Sequence, residues 1–317
     1  MTLRLLVVLI AAALLLAGSV WWYMSKPRTP GAASVAAAYD TPLTPPPGPI
    51  TVYHLGHSLV GRDMPAMLAQ LAGPGHRYAL QLGWGTTLKQ HWEPDLEING
   101  FEAENDTPQF RPARVAIGSG EYDAVVLTEM VELRDAIKYH DSARYLSQWA
   151  DLARQAAPET RVYLYETWHR LDDPEGWLDR LDRDLEDLWE NKVLLPDLAG
   201  GGAARPIHVI PAGQVMAAFV RAVEAAGGLD NIASRDDLFR RDEAGKRDDI
   251  HLNDLGHYLV ALTHYAVLYG RNPQGLPRQL VRADGTAATA PGADSARLMQ
   301  RIVWQVVTTY PKTGVAP

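Results

Sequence analysis

Apolar positions along the chain fall into short dense runs separated by longer amphipathic stretches. Ile50–Leu55 (ITVYHL), Tyr78–Gly83 (YALQLG), Asp123–Thr128 (DAVVLT), Arg161–Thr167 (RVYLYET) and Pro206–Ala212 (PIHVIPA) read as strands. Their apolarity is continuous rather than alternating, which marks strands covered on both faces. Leu59–Ala72, Tyr145–Ala157, Trp177–Leu195, Gly213–Ala226, Asp254–Gly270 and Ser295–Tyr310 carry helical patterns. Gln90–Gly120 has no clean period and reads as a long insertion. Strands alternating with helices predict a three-layer α/β/α sandwich on a mainly parallel sheet. Sites in such sheets form beyond the carboxyl ends of the strands.

Two stretches precede this pattern. Leu3–Met24 is almost wholly apolar, with Arg4 at its start and Lys26 and Arg28 after it. About twenty apolar residues cross a bilayer as a helix. Trp21, Trp22 and Tyr23 stand where an interfacial aromatic belt would be. A cleaved signal peptide competes with an uncleaved signal anchor. The length of the run, and the lack of a small-x-small site directly after it, favour the anchor. Pro27–Pro49, rich in Pro and Ala, reads as an extended tether. The expected organisation is a transmembrane helix over residues 1–26, a linker over 27–49 and a folded domain over 50–317. The domain is then expected outside the cytoplasm, in a periplasmic setting.

Composition narrows the function. The 317 residues are 47% hydrophobic, enough for one good-sized core. The net charge is -8 and no basic cluster is present, which argues against a nucleic-acid partner. The absence of cysteine removes disulfides, thiolate metal sites and a cysteine nucleophile together. His54 and His57 have a metal-like spacing, but three residues apart on a strand they point to opposite faces. No metal or other cofactor is expected.

The candidate chemistry begins at Gly56-His57-Ser58, where the first strand meets the following helix. Ser58 is either a helix cap or a nucleophile at a strand end. A base is offered far along the chain: Asp248 and His251 lie three apart in an expected loop before a helix that Asn253 or Asp254 would cap. Imidazole takes the serine proton, and a carboxylate fixes its tautomer and stabilises the imidazolium. His91 and Trp92 follow the glycine-rich stretch Gly83–Leu88 and could line a cleft, and Trp168 and His169 stand at another strand's carboxyl end and could rim the same one; Trp faces suit sugar stacking, while a buried Trp is the commoner explanation. His257 and His264 read as packing or surface residues of a late helix.

GHSL (Gly56–Leu59), GWGTTL (Gly83–Leu88), VVLTEMVEL (Val125–Leu133) and DDIH (Asp248–His251) occur in that order between Ile50 and roughly Gly270. In this the chain resembles the SGNH (GDSL-type) hydrolase superfamily, whose blocks follow the first, second and third strands and close with Asp-x-x-His. The resemblance implies Ser58 as nucleophile, His251 as general base and then acid, and Asp248 as its orienter. It implies the backbone N–H groups of Ser58 and Gly85 as oxyanion donors, with Gly83 the alternative to Gly85; a close backbone approach tolerating no side chain would explain a glycine there. Two departures stand out. His57 replaces the Asp before Ser, and is read as a polar loop residue near substrate rather than the base. Glu129-Met130-Val131-Glu132 stands where Gly-x-Asn-Asp is expected, and the Asn-Asp of Glu104–Asp106 precedes the third strand instead of following it. One lost oxyanion donor costs about 10²–10³ in rate, and a carboxylate in its place would repel the oxyanion. Either Thr86, Thr128 or a Trp N–H substitutes, or Glu129 points away or is protonated, or the enzyme is weak. The expectation is a membrane-tethered serine esterase that removes O-acyl groups from a glycan or similar envelope ester. The alternative is a weak or inactive carbohydrate-binding or scaffold protein on the same fold.

Overall fold

The computed structural model describes residues 30–317. The expected transmembrane helix, Leu3–Met24, lies outside the described residues. Among those residues no helix is long and apolar enough to cross a membrane.

Five strands, β1 (Thr51–His57), β2 (Arg77–Gly83), β3 (Ala124–Leu127), β4 (Arg161–Glu166) and β5 (His208–Pro211), form one sheet in the order 2-1-3-4-5. Every pairing is parallel. This is the flavodoxin-like doubly wound order, whose direction of winding reverses between β1 and β3. The continuous apolarity of the strands now has its reason. Along β3, Ala124 and Val126 enter one core while Val125 and Leu127 enter the other. Tyr163 and Tyr165 of β4 likewise face away from Val162 and Leu164.

The principal helices are α1 (Asp63–Ala72), α2 (Ser142–Ala156), α3 (Ala212–Ala225), α4 (Asp254–Tyr269) and α5 (Ala293–Thr309). Helices α1, α3, α4 and α5 cover one face, and α2 with Leu185–Leu194 covers the other. Helix α4 is buried along its whole length, so the expected apolar stripe is in fact a fully enclosed helix. Asn253 caps it through Leu255 and Gly256 N–H, while Asp254 pairs with Arg282.

Three expectations change. Pro30–Pro49 is not a free tether: Ala32–Tyr39 is helical, Tyr39 is buried with its hydroxyl on Ile207 O at 2.9 Å, and Leu43 N bonds Gly314 O at 2.7 Å. Apolar burial of one tyrosine and the paired backbone hold the segment to the domain. Gln90–Gly120 is ordered by short helices and by a single bridge from Phe110 to Leu80 at the open edge of β2. Finally, the expected loop carrying Asp248 and His251 is a strand, β7 (Arg247–Leu252), paired antiparallel with β6 (Phe239–Arg241).

Candidate active site

Register lines up the carboxyl ends that matter. Leu55 pairs with Leu127 and His57 with Gly83, so the turns after β1, β2 and β3 emerge side by side at the reversal of winding. Gly56 permits this approach: a Cβ there would lie 2.5 Å from the Thr128 methyl. Ser58 begins the turn, and helix α1 starts only at Asp63, with no side-chain cap. The hydroxyl of Ser58 is therefore not spent on capping.

The ribbon β6–β7 brings the other partners. Its pairs Phe239–Leu252 and Arg241–Arg247 leave the single residue Arg240 opposite Asp248–His251. The surplus residues bulge outward. Asp248 Oδ1 closes the bulge by accepting the N–H groups of Ile250 (2.8 Å) and His251 (2.9 Å). This turn lets two residues three apart on a strand meet: Asp248 Oδ2 lies 2.8 Å from His251 Nδ1. His251 Nε2 lies 3.0 Å from Ser58 Oγ. With a carboxylate on Nδ1, the ring proton sits there and Nε2 accepts from the serine. Burial works to raise the Asp248 pKa, but the two backbone donors and the imidazole outweigh it and hold the carboxyl below its usual value. Trp168 Nε1 donates to Ile250 O at 2.7 Å and Leu171 N to Asp249 O at 2.8 Å, fixing the bulge to the loop after β4.

Ser58 and His251 open into a cleft of about 1060 Å³. Gly85 lines it, and neither its N–H nor that of Ser58 has an acceptor among the described residues. The reason for glycine differs from the one expected. Nothing lies within 4 Å of a Cβ at Gly85; its φ of +57° is what excludes other residues. Gly83 is the crowded one, with Thr86 Oγ1 2.2 Å and Ile98 Cγ2 2.3 Å from a Cβ, and it does not line the cleft.

The anticipated substrate contacts are mostly elsewhere. His57 lines the cleft, but its ring is committed: Nε2 donates to Glu129 O at 2.9 Å and Nδ1 accepts from Leu59 N at 3.3 Å. Burial lowers its pKa to about 4. His91 is buried between Gln81 and Gly56 O, at 2.9 and 2.8 Å, and does not reach the cleft. Trp92 packs edge-on against Trp149, under Arg114. Trp168 and His169 are buried behind the cleft, the latter against Asp184. Their positions, after the glycine block for His91 and Trp92 and at a strand end for Trp168 and His169, do not report which way a side chain turns.

Glu129 is likewise turned inward. It is fully buried, and Oε1 accepts from Met130 N at 2.8 Å and Leu88 N at 3.3 Å. Burial raises its pKa to about 7, with those donors pulling it down part of the way. Of the expected alternatives, the one realised is that Glu129 points away. Among the described residues the named substitutes are otherwise placed: Thr128 Oγ1 is bonded to Tyr165 O, Trp84 Nε1 to Glu104, and Thr86 is buried outside the cleft. Glu132 does line the cleft, but buried Arg180 holds it at 2.6 and 2.9 Å and lowers its pKa to about 2. Asn105 is no oxyanion donor either; its amide clasps the Leu82 backbone at 3.0 and 2.8 Å.

Sequence reasoning missed much of the wall: Arg62, Trp84, Glu104, Asp106, Arg240 and Arg282. Trp84 sat unassigned inside the glycine block, and Glu104 and Asp106 flank the Asn that drew attention to itself.

No family model and no curated protein matches the chain. Among solved structures it is similar to a DUF4886 family protein from Bacteroides uniformis, at 15% identity over 83% of this chain and 96% of that one, TM-score 0.49. It is also similar to a protein from Parabacteroides merdae described as a GDSL-like lipase, at 12% identity over 70% of this chain and 96% of that one, TM-score 0.41. A gut microbial diltiazem-metabolizing enzyme is similar at 11% identity over 72% of this chain and 48% of that one, TM-score 0.33.

Proposed function

We propose that this chain is a serine ester hydrolase. The observation that carries it is the unbroken line Asp248–His251–Ser58, with links of 2.8 and 3.0 Å, opening into a cleft at the reversal of winding. Ser58 Oγ attacks the ester carbonyl as His251 Nε2 takes its proton. Asp248 holds the imidazolium. The Ser58 and Gly85 N–H groups receive the oxyanion. His251 returns the proton to the leaving alkoxide, and an acyl-Ser58 remains. Water, deprotonated by His251, then releases the acid. The substrate class is an O-acyl group on an envelope glycan, and Leu3–Met24 is the membrane tether that holds the domain outside the cytoplasm.

One observation favours a slower protein, with saccharide binding as its main role: among the described residues no side-chain donor stands where the third oxyanion donor would be. Treating the full-length chain with a fluorophosphonate and mapping the adduct tests both readings. Labelling at Ser58 that is lost in His251→Ala is expected. A folded sample that stays unlabelled would leave the binding role.

A further inference from the structure

Exposed large apolar side chains are few among the described residues: Trp84 at 54%, Leu96, Val115, Tyr139 and Val281. Of these, Trp84 alone lines the cleft, and it precedes Gly85. Its indole is fixed at Nε1 and along one face, and its backbone is held as well. Nε1 donates to Glu104 Oε1 at 2.8 Å, and the backbone N–H donates to Asn99 O at 2.7 Å. Gly100 lies against one face, where a Cβ would fall 2.2 and 2.3 Å from the two fused-ring carbons. Gly100 also has a φ of +67°, which suits glycine. The loop is thus shaped to the indole, and more than half of the residue is left to solvent inside the cleft.

The surroundings say what would lie on it. Four arginines and six carboxylates line the cleft. A long acyl chain laid among them would strip water from charges and return no hydrogen bond. A saccharide suits both features: its C–H face stacks on an aromatic ring while its hydroxyls meet carboxylates and guanidinium groups. Glu104 Oε2 has no protein donor among the described residues, and Arg62 Nη1 reaches only the Asp106 carbonyl, at 3.1 Å, so both retain capacity at the rim.

We propose that Trp84 is the platform on which the sugar ring of the substrate stacks, with Glu104 and Arg62 beside it for the hydroxyls. This rests on the glycan-esterase reading and deepens it. It makes Trp84 a specificity-determining residue rather than a catalytic one.

The test compares full-length wild type, Trp84→Ala and Trp84→Phe on O-acetylated chitobiose and on vinyl acetate, which has no ring. The ratio of kcat/KM for the saccharide ester to that for vinyl acetate is expected to fall about tenfold in Trp84→Ala. In Trp84→Phe it stays within about threefold. An unchanged ratio in Trp84→Ala, or turnover of vinyl acetate without turnover of the saccharide, overturns the platform. Binding is read separately, as the change in tryptophan fluorescence on adding deacetylated chitobiose to Ser58→Ala. A saturable change that vanishes in Ser58→Ala/Trp84→Ala supports the platform even if wild type hydrolyses neither ester, an outcome in which only the esterase reading falls. No saturable change, with no turnover, overturns both.

Discussion

Asp248→Asn isolates the role of one oxygen. Asp248 Oδ1 accepts two backbone N–H groups and Oδ2 faces His251 Nδ1 at 2.8 Å. Asparagine keeps an acceptor for the backbone pair, so the bulge is retained. Its amide nitrogen then faces Nδ1 as a donor, and the ring proton moves to Nε2. That nitrogen, 3.0 Å from Ser58 Oγ, becomes a donor and no longer takes the serine proton. Flipping the amide to restore the tautomer sets its NH₂ against the N–H groups of Ile250 and His251, so neither orientation is free. The expected loss in kcat/KM is about 10³–10⁴, or about 4–5.5 kcal/mol at the transition state. Because both side chains are part-exposed and the bulge retains its acceptor, the fold is kept. The assay is kcat/KM on vinyl acetate and the rate of fluorophosphonate labelling, with thermal unfolding as the control for folding. Activity within tenfold of wild type, in a sample that unfolds as wild type does, would refute the assignment of Asp248 as orienter.

Gly83→Ala and Gly85→Ala should separate crowding from backbone conformation. The first drives a methyl into Thr86 and Ile98 and is expected to cost about 1–3 kcal/mol, more than the second, which meets only the φ penalty of about 1 kcal/mol; thermal midpoints in the opposite order would contradict this. Trp168→Phe leaves the Ile250 carbonyl unpaired and loosens the His251 bulge, so kcat falls with little change in KM; a raised KM at constant kcat would place Trp168 at substrate instead. Acid should destabilise the fold. His57, His76, His91, His208, His257 and His264 are each lowered to about 4, with burial the main cause, so the unfolded chain binds their protons first and stability drains away as pH falls below 6.5. Glu129 and Glu166, raised by burial to about 7 and about 8, act in the opposite sense as pH falls from 8 toward 4.5. His54, lowered well below its usual value by burial, acts with them, and the seven histidines against two glutamates leave a net loss on the order of 5 kcal/mol between pH 7.5 and 5.5. A thermal midpoint that holds or rises over that interval would sink this accounting.

The two acidic residues of the stretch after β3 are both held by partners of their own. A charge is harmful only where its field reaches the reacting carbonyl. Glu129 satisfies Leu88 and Met130 N–H inside the protein, and Glu132 is neutralised by buried Arg180. The Glu129 carbonyl also accepts a hydrogen bond from His57 Nε2–H, which ties the turn after β1 to the turn after β3. His57 thus does a joining task rather than a chemical one.

What the sequence determined by itself was whatever local pattern dictates. Strands buried on both faces announce themselves as unbroken apolar runs, because each successive side chain enters one core or the other. The five runs became the five sheet strands, and their alternation with helices gave the parallel sheet. Ser58, Asp248 and His251, which lie within hydrogen-bond reach of one another, were legible as candidates because the proposed chemistry would need those residue types at a strand end and three apart. Direction was not legible. His91, Trp168 and Glu129 turn inward to Gly56 O, Ile250 O and Leu88 N, and Trp92 packs on Trp149, partners that lie well away in the chain. Trp84 turns outward because Gly100, sixteen residues on, lies against its face. The pairing of Asp248 with His251 needed a bulge opposite Arg240, and the cleft wall needed an insertion held on the edge of β2 by Asn105. These were decided by tertiary structure, since hydrogen-bond and packing partners are set by proximity in space, which one-dimensional order does not encode.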